Sequence, residues 1–155
     1  MPKVARAKSS ALAWDTPESW NEKPGAGMRI ASFTMGDGDD QGLCTLITLS
    51  GPAGGLEANV ARWLGQLDLP VPEGTAFADF LDSQERFETQ GGLPGVLADL
   101  VPLTRQQGTR EDSMMVGVIT IKTQTAFLKL TGPMALLESE KKHLVALSRS
   151  FRTQP

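Results

Sequence analysis

The chain has no tyrosine, one cysteine and one histidine, and these three scarcities close off much of enzyme chemistry. Cys44, being alone, can form neither an intrachain disulfide nor a thiolate metal cluster. Zinc needs several thiolate or imidazole ligands, and the sequence offers one of each. A Ser–His–Asp or Cys–His mechanism has to use His143, which lies on a helical pattern far from Cys44 and beside no nucleophile motif. Without tyrosine there is no phenolic acid. Cys44 itself sits in the apolar run Leu43–Ser50, where a free cysteine behaves as a small hydrophobe.

Positive charge is outnumbered: 15 lysines and arginines stand against 18 aspartates and glutamates. The net charge is −3, and Lys3, Arg6 and Lys8 crowd into the first few residues, so the body is more acidic than the whole. That excludes the basic footprint of a nucleic-acid binder and disfavours anionic membranes as partners of the folded part. No apolar run approaches transmembrane length, and the cationic start is not followed by the apolar stretch of a secretory leader. No internal repeat or low-complexity segment is present. The length of 155 residues suits one domain. We expect a flexible arm over residues 1–10, a domain over 11–152 and a tail over 153–155.

What is present is organised around Gly54–Leu67, GGLEANVARWLGQL. At about 100° per residue, Leu56, Val60, Trp63, Leu64 and Leu67 share one stripe, and Ala58, Ala61 and Gly65 lie opposite. Glycines open the helix and Pro70 and Pro72 close it. Asn59, Arg62 and Gln66 line up beside Trp63. That strip reads in two ways: as a ligand-facing surface with stacking and hydrogen-bonding groups, or as a tryptophan packed on a sheet with amides tying down nearby loops. The glycines before the helix also resemble a phosphate cradle. They lack both the lysine of a P-loop and the GxGxxG spacing, so a structural turn is expected.

Before that helix, Met28–Met35 and Leu43–Ser50 have strand character, joined through Gly36–Gly42. Asp37, Asp39, Gln41 and Gly42 fall at the first, third, fifth and sixth places of a calcium loop. The twelfth is Thr48 instead of a bidentate glutamate and the flanks are strands, so a hairpin turn is expected. Further upstream, Trp14 and Trp20 bracket a turn that is expected to bring the two indoles near each other, either as an exposed recognition patch or, as we expect, as a lock of the terminus onto the core. After the helix we expect a short helix over Thr75–Ser83, then a hairpin of Glu85–Gln90 and Val96–Val101. A polar loop over Thr104–Asp112 leads to a last strand pair, Ser113–Lys122 and Thr125–Thr131, in which Lys129 faces water. A second long helix spans Met134–Phe151, with Leu136, Leu137, Leu144, Leu147 and Phe151 on one stripe. Glu140 falls inside that stripe, where it meets Lys129, meets a ligand or reaches out at the stripe's end.

The strand run before GGLEANVARWLGQL, the pair ending TAFLKLTGP and the closing LSRSFR together resemble the PsbP-like fold family. That family includes extrinsic photosystem subunits, the Ran-binding Mog protein and bacterial proteins of unknown role. The segment from Trp14 through Pro17 to Trp20, with the tryptophan helix, is similar to an uncharacterised bacterial branch, often exported or lipid-anchored. The resemblance spans about Leu12 to Arg152 and implies an α+β fold, a central, mostly antiparallel sheet flanked by two long helices as an α/β/α sandwich. It also implies an exported or periplasmic protein whose leader is absent from this chain, the alternative being a cytoplasmic one.

The function expected from the sequence is a non-catalytic binding or accessory domain that recognises a protein or small ligand through Asn59, Arg62, Trp63 and Gln66. No catalytic residue, metal ligand or cofactor is assigned. Two alternatives stay open: a hydrolase or lyase working through Asp37, Asp39 and Glu140, and calcium binding at the Asp37–Gly42 turn.

Overall fold

A computed structural model describes residues 3–6, 12–108 and 110–153, the first group as backbone only. In chain order the first elements are β1 (Lys3–Arg6), β2 (Leu12–Thr16), β3 (Asn21–Pro24), β4 (Arg29–Asp37) and β5 (Asp40–Ser50). Next come α1 (Gly55–Gln66), α2 (Thr75–Asp82), β6 (Glu85–Glu88), β7 (Pro94–Asp99) and α3 (Val101–Gln107). The chain closes with β8 (Asp112–Ile121), β9 (Gln124–Pro133), α4 (Met134–Arg149) and β10 (Arg152–Thr153).

Seven strands form one antiparallel sheet in the order β3-β4-β5-β9-β8-β7-β6, and β1-β2-β10 form a second, smaller one. Alternation along the strands sorts side chains to the two faces of the large sheet. Cys44, Leu46, Met115, Ile119, Leu128 and Leu130 meet Leu137, Leu144 and Leu147 of α4 on one face. Met114, Val116 and Phe127 meet Val60, Trp63 and Leu64 of α1, with Phe77 of α2, on the other. Both faces are therefore covered, as a sheet without a polar side requires, and the architecture is the expected α+β sandwich. At Gly117 α4 comes close: a Cβ there would lie 2.4 Å from Ser148 Oγ, and that hydroxyl would have to turn away.

β2 and β3 lie where the sequence pattern assigns no strand, only the turn between Trp14 and Trp20, and three further segments depart from the sequence-based expectation. Val101–Gln107 is helix, where strand and polar loop were expected. Proline in its first turn suits a helix start, and Gly108 in the left-handed region (φ 67°) ends it. α4 stops at Arg149, so Phe151 lies beyond it and stacks on Trp14 with ring centroids 5.5 Å apart. Arg152 then joins β10 and pairs with β2. Within the segment expected to be an arm, Lys3–Arg6 pairs with β2, and residues 1–2, 7–10 and 154–155 lie outside the described residues. No helix among the described residues is long and apolar enough to cross a membrane.

Candidate functional site

α1 is entered through a loop in which Ala53 (φ 53°) and Gly54 (φ 92°) both take left-handed backbone. The Asn59 amide holds that loop: its Nδ2 donates to Ala53 O at 3.0 Å and to Gly55 O at 2.7 Å. Asn59 is buried, and its Oδ1 has no hydrogen-bond partner among the described residues. Trp63 is 3% exposed and meets the Phe127 ring edge-on at 5.8 Å. Arg62 and Gln66, one turn apart, are exposed. The four strip residues thus divide, two turned into the body and two turned out.

Gln66 leads to the site. Its Oε1 accepts a hydrogen bond from Lys129 Nζ at 2.5 Å. Lys129 points to the α1 face of β9 because Leu128 and Leu130 take the α4 face. α1 ends before covering the whole sheet, and the uncovered part is an open groove of about 600 Å³. Leu43, Gln66, Arg110, Asp112, Met114 and Lys129 contribute to its walls. Burial, and then the nearby Arg62 guanidinium, hold the Lys129 ammonium below the ordinary lysine range. Arg110 Nε is buried without an acceptor among the described residues, and Nη1 stands 3.7 Å from an Asp68 carboxylate that is 89% exposed.

A cleft of similar size, about 590 Å³, runs between α3 and α4, but its charges answer one another. Arg105 pairs with Glu138 through two hydrogen bonds, at 2.8 and 2.9 Å, and Lys141 meets Asp99 at 3.2 Å. Only the groove beside Lys129 combines a half-buried cation with a neutral partner among the described ion pairs and hydrogen bonds.

The groups singled out for acid chemistry go elsewhere. Asp37 and Asp39 stand exposed at the β4–β5 hairpin, where Asp37 is opposite Asp40 across a two-residue turn. That turn has strands on both sides, so it lacks the helical flanks of a calcium loop. Among the described residues no group of three or more histidine, cysteine, aspartate or glutamate side chains is arranged to hold a metal ion. Glu140 interrupts its apolar stripe to meet an indole and not Lys129, which lies on the opposite face. Its Oε1 accepts from Trp20 Nε1 at 2.7 Å and pairs with His143 Nδ1 at 2.7 Å. Trp14 Nε1 likewise donates to Glu22 Oε1 at 2.9 Å, and the Thr16 hydroxyl donates to the same oxygen. Both indoles are buried, anchoring the N-terminal segment. Cys44 is fully buried, which pushes its thiol far up and keeps it neutral.

The Glu140 arrangement has a pH consequence. Burial opposes ionisation of its carboxyl, but hydrogen bonds from Trp20 and His143 outweigh it and the pKa is lowered. A carboxyl with a depressed folded pKa adds stability that is present above the unfolded value, about 4.3, and is lost as pH falls through the folded one. Glu140→Gln should therefore flatten the decline in urea midpoint between roughly pH 5 and pH 2. Parallel declines for wild type and variant would show that Glu140 does not carry it.

No protein-family model and no curated protein matches the sequence. Solved structures do match in fold. Cyanobacterial PsbP (CyanoP) from Synechocystis sp. PCC 6803 superposes with a TM-score of 0.52 at 11% identity, covering 98% of this chain and 92% of that one. LpqN, involved in cell envelope biogenesis of Mycobacterium tuberculosis, superposes with a TM-score of 0.59 at 11% identity, covering 100% of this chain and 91% of that one. The chain has a PsbP-like fold. At such identity the likeness carries architecture and no site residue.

Gln66 and Arg62 are legible in the sequence through the helix period. Lys129 is expected from the sequence to face water, whereas it is half-buried against the groove, and Arg110 falls in an expected loop. One signal for the site was available: a single cation inside the otherwise apolar run AFLKL of a central strand.

Proposed function

We propose that this protein is a non-catalytic binding domain whose recognition surface is the groove beside Lys129, with Gln66, Arg110 and the neighbouring Arg62 as its polar contacts. One observation carries the proposal. Lys129 is half-buried on a central strand beside a second cation, and a neutral amide answers it where an acid would stabilise it. Such an arrangement costs the fold stability, which is common where a side chain is kept for a ligand. A groove of about 600 Å³ is within the size range of small-ligand sites. Asn59 and Trp63 support the surface from behind by holding α1 against the sheet.

A saturation-transfer NMR screen of small polar and amphipathic fragments tests this. Fragments that bind the wild type should lose their signal with the Gln66→Ala/Lys129→Ala double variant, while the variant's circular dichroism is unchanged. Binding that survives the double substitution would move the site elsewhere, the cleft between α3 and α4 being the first place to look.

A further inference from the structure

We infer that the ligand group taken by this groove is a carboxylate, held between the Lys129 ammonium and the Arg110 guanidinium, with a short aliphatic body lying toward Leu43 and Met114. The inference rests on the groove being the binding surface. Four observations define the chemistry.

Lys129 and Arg110 line the same groove from β9 and from the segment before β8. Among the described residues Lys129 has no acid within ion-pair distance, only the Gln66 oxygen. The Arg110 head is likewise without a short acceptor among the described residues: Nε has no partner there, and Asp68, at 3.7 Å, stands mostly in water. Two cationic donors lacking close anionic partners present the fork and point charge that an oxyanion accepts from.

The second observation is Asp112, an exposed acid on the same wall. Its charge works against a dianion and leaves a monoanion tolerated, which favours carboxylate over phosphate. Third, Leu43 is 37% exposed although it lies on a central-sheet strand. With Met114 beneath, it gives the ligand an apolar neighbour beside the cations. Fourth, the Arg62 guanidinium is near enough to Lys129 to lower its pKa, which adds positive potential beside the groove. Lys129 is thereby held in a place that an incoming anion relieves.

The test is a ¹H–¹⁵N NMR titration of the whole chain at constant ionic strength with sodium hexanoate, hexanol and sodium phosphate. Hexanoate should shift the amides around Gln66, Arg110, Met114 and Lys129 saturably, and more tightly than phosphate. Lys129→Met should weaken hexanoate roughly tenfold, the value of one charge-assisted hydrogen bond. Its thermal midpoint should be no lower than that of wild type, because it removes a desolvated ammonium that lies beside another cation. If Lys129→Met fails to fold, Arg110→Gln carries the same comparison.

Hexanol shifting these amides as well as hexanoate does would overturn the carboxylate and leave the groove standing. Unchanged hexanoate binding in the variant, or phosphate binding more tightly, would overturn it in the same way. If none of the three probes moves the groove amides, the inference fails together with the groove as the binding surface.

Discussion

Trp63→Ala should cost about 3–5 kcal/mol of unfolding free energy, the range for deleting a large buried aromatic. The indole is 3% exposed, meets Phe127 edge-on at 5.8 Å and shares its cluster with Val60, Leu64, Met114 and Val116. Truncation opens a cavity at the point where α1 meets the sheet, and the flanking β8 and β9 are too firmly paired to collapse into it. Urea unfolding followed by far-UV circular dichroism measures the loss. A loss under about 1 kcal/mol would place Trp63 at a surface, as a ligand-stacking residue, because exposed substitutions rarely exceed that. Trp63→Phe keeps most of the volume and should recover part of the loss, whereas a stacking role would make the two variants alike in stability.

The second large effect is expected at Asn59. Asn59→Asp replaces an amide that donates to Ala53 O and Gly55 O with a carboxylate facing the same two carbonyls. Two hydrogen bonds are lost and a buried charge is left without a donor, so about 3 kcal/mol or more should go at pH 7. Asn59→Ala, which leaves only the unpaired carbonyls, should cost about 1–3 kcal/mol. The pH dependence separates the two. The new carboxyl is buried against acceptors, so its folded pKa is raised. Its penalty is absent below the unfolded value, about 3.9, and grows as pH rises above it. Asn59→Asp should therefore lie nearer to wild type at pH 4 than at pH 7, while Asn59→Ala keeps a constant gap. A constant gap for both variants would mean that the loop carbonyls turn to water and that the amide is not what holds them.

These two substitutions also bear on how α1 works. If both are costly and neither alters binding in the groove beyond what unfolding explains, Asn59 and Trp63 are the fastening of the helix. Arg62 and Gln66, on the outer side of the same turns, are then free to vary with the ligand. The helix has one side that belongs to the core and one side that belongs to the groove, and the strip visible in the sequence straddles the boundary between them.

Local patterning was enough for most of the architecture. The stripe Val60, Trp63, Leu64 and Leu67 is buried as its period requires. The Asp-Gly hairpin closes where turn chemistry places it, between Asp37 and Asp40. The doubly apolar run holding Cys44 and Leu46 is a central strand covered on both faces. Each of these depends on residues a few positions apart, whose direction follows from the helical or extended repeat alone. α3 escaped because a helix of seven residues shows less than two full turns of period, and two of its residues are glutamine. β10 escaped because two residues carry no pattern and exist as a strand only through their pairing with β2.

From the residue order alone come the α+β class, the covered central sheet, the buried thiol at Cys44 and the two-sided character of α1. The distant partners of polar side chains were decided by tertiary structure alone. Trp20 finds Glu140 across 120 positions, and Lys129 finds Gln66 across 63. No repeat in the sequence encodes such meetings, because they depend on which strands become neighbours and on where a helix stops short of covering them. Burial can be read from a period. A charge left without its opposite exists only once the whole chain has taken its place around it.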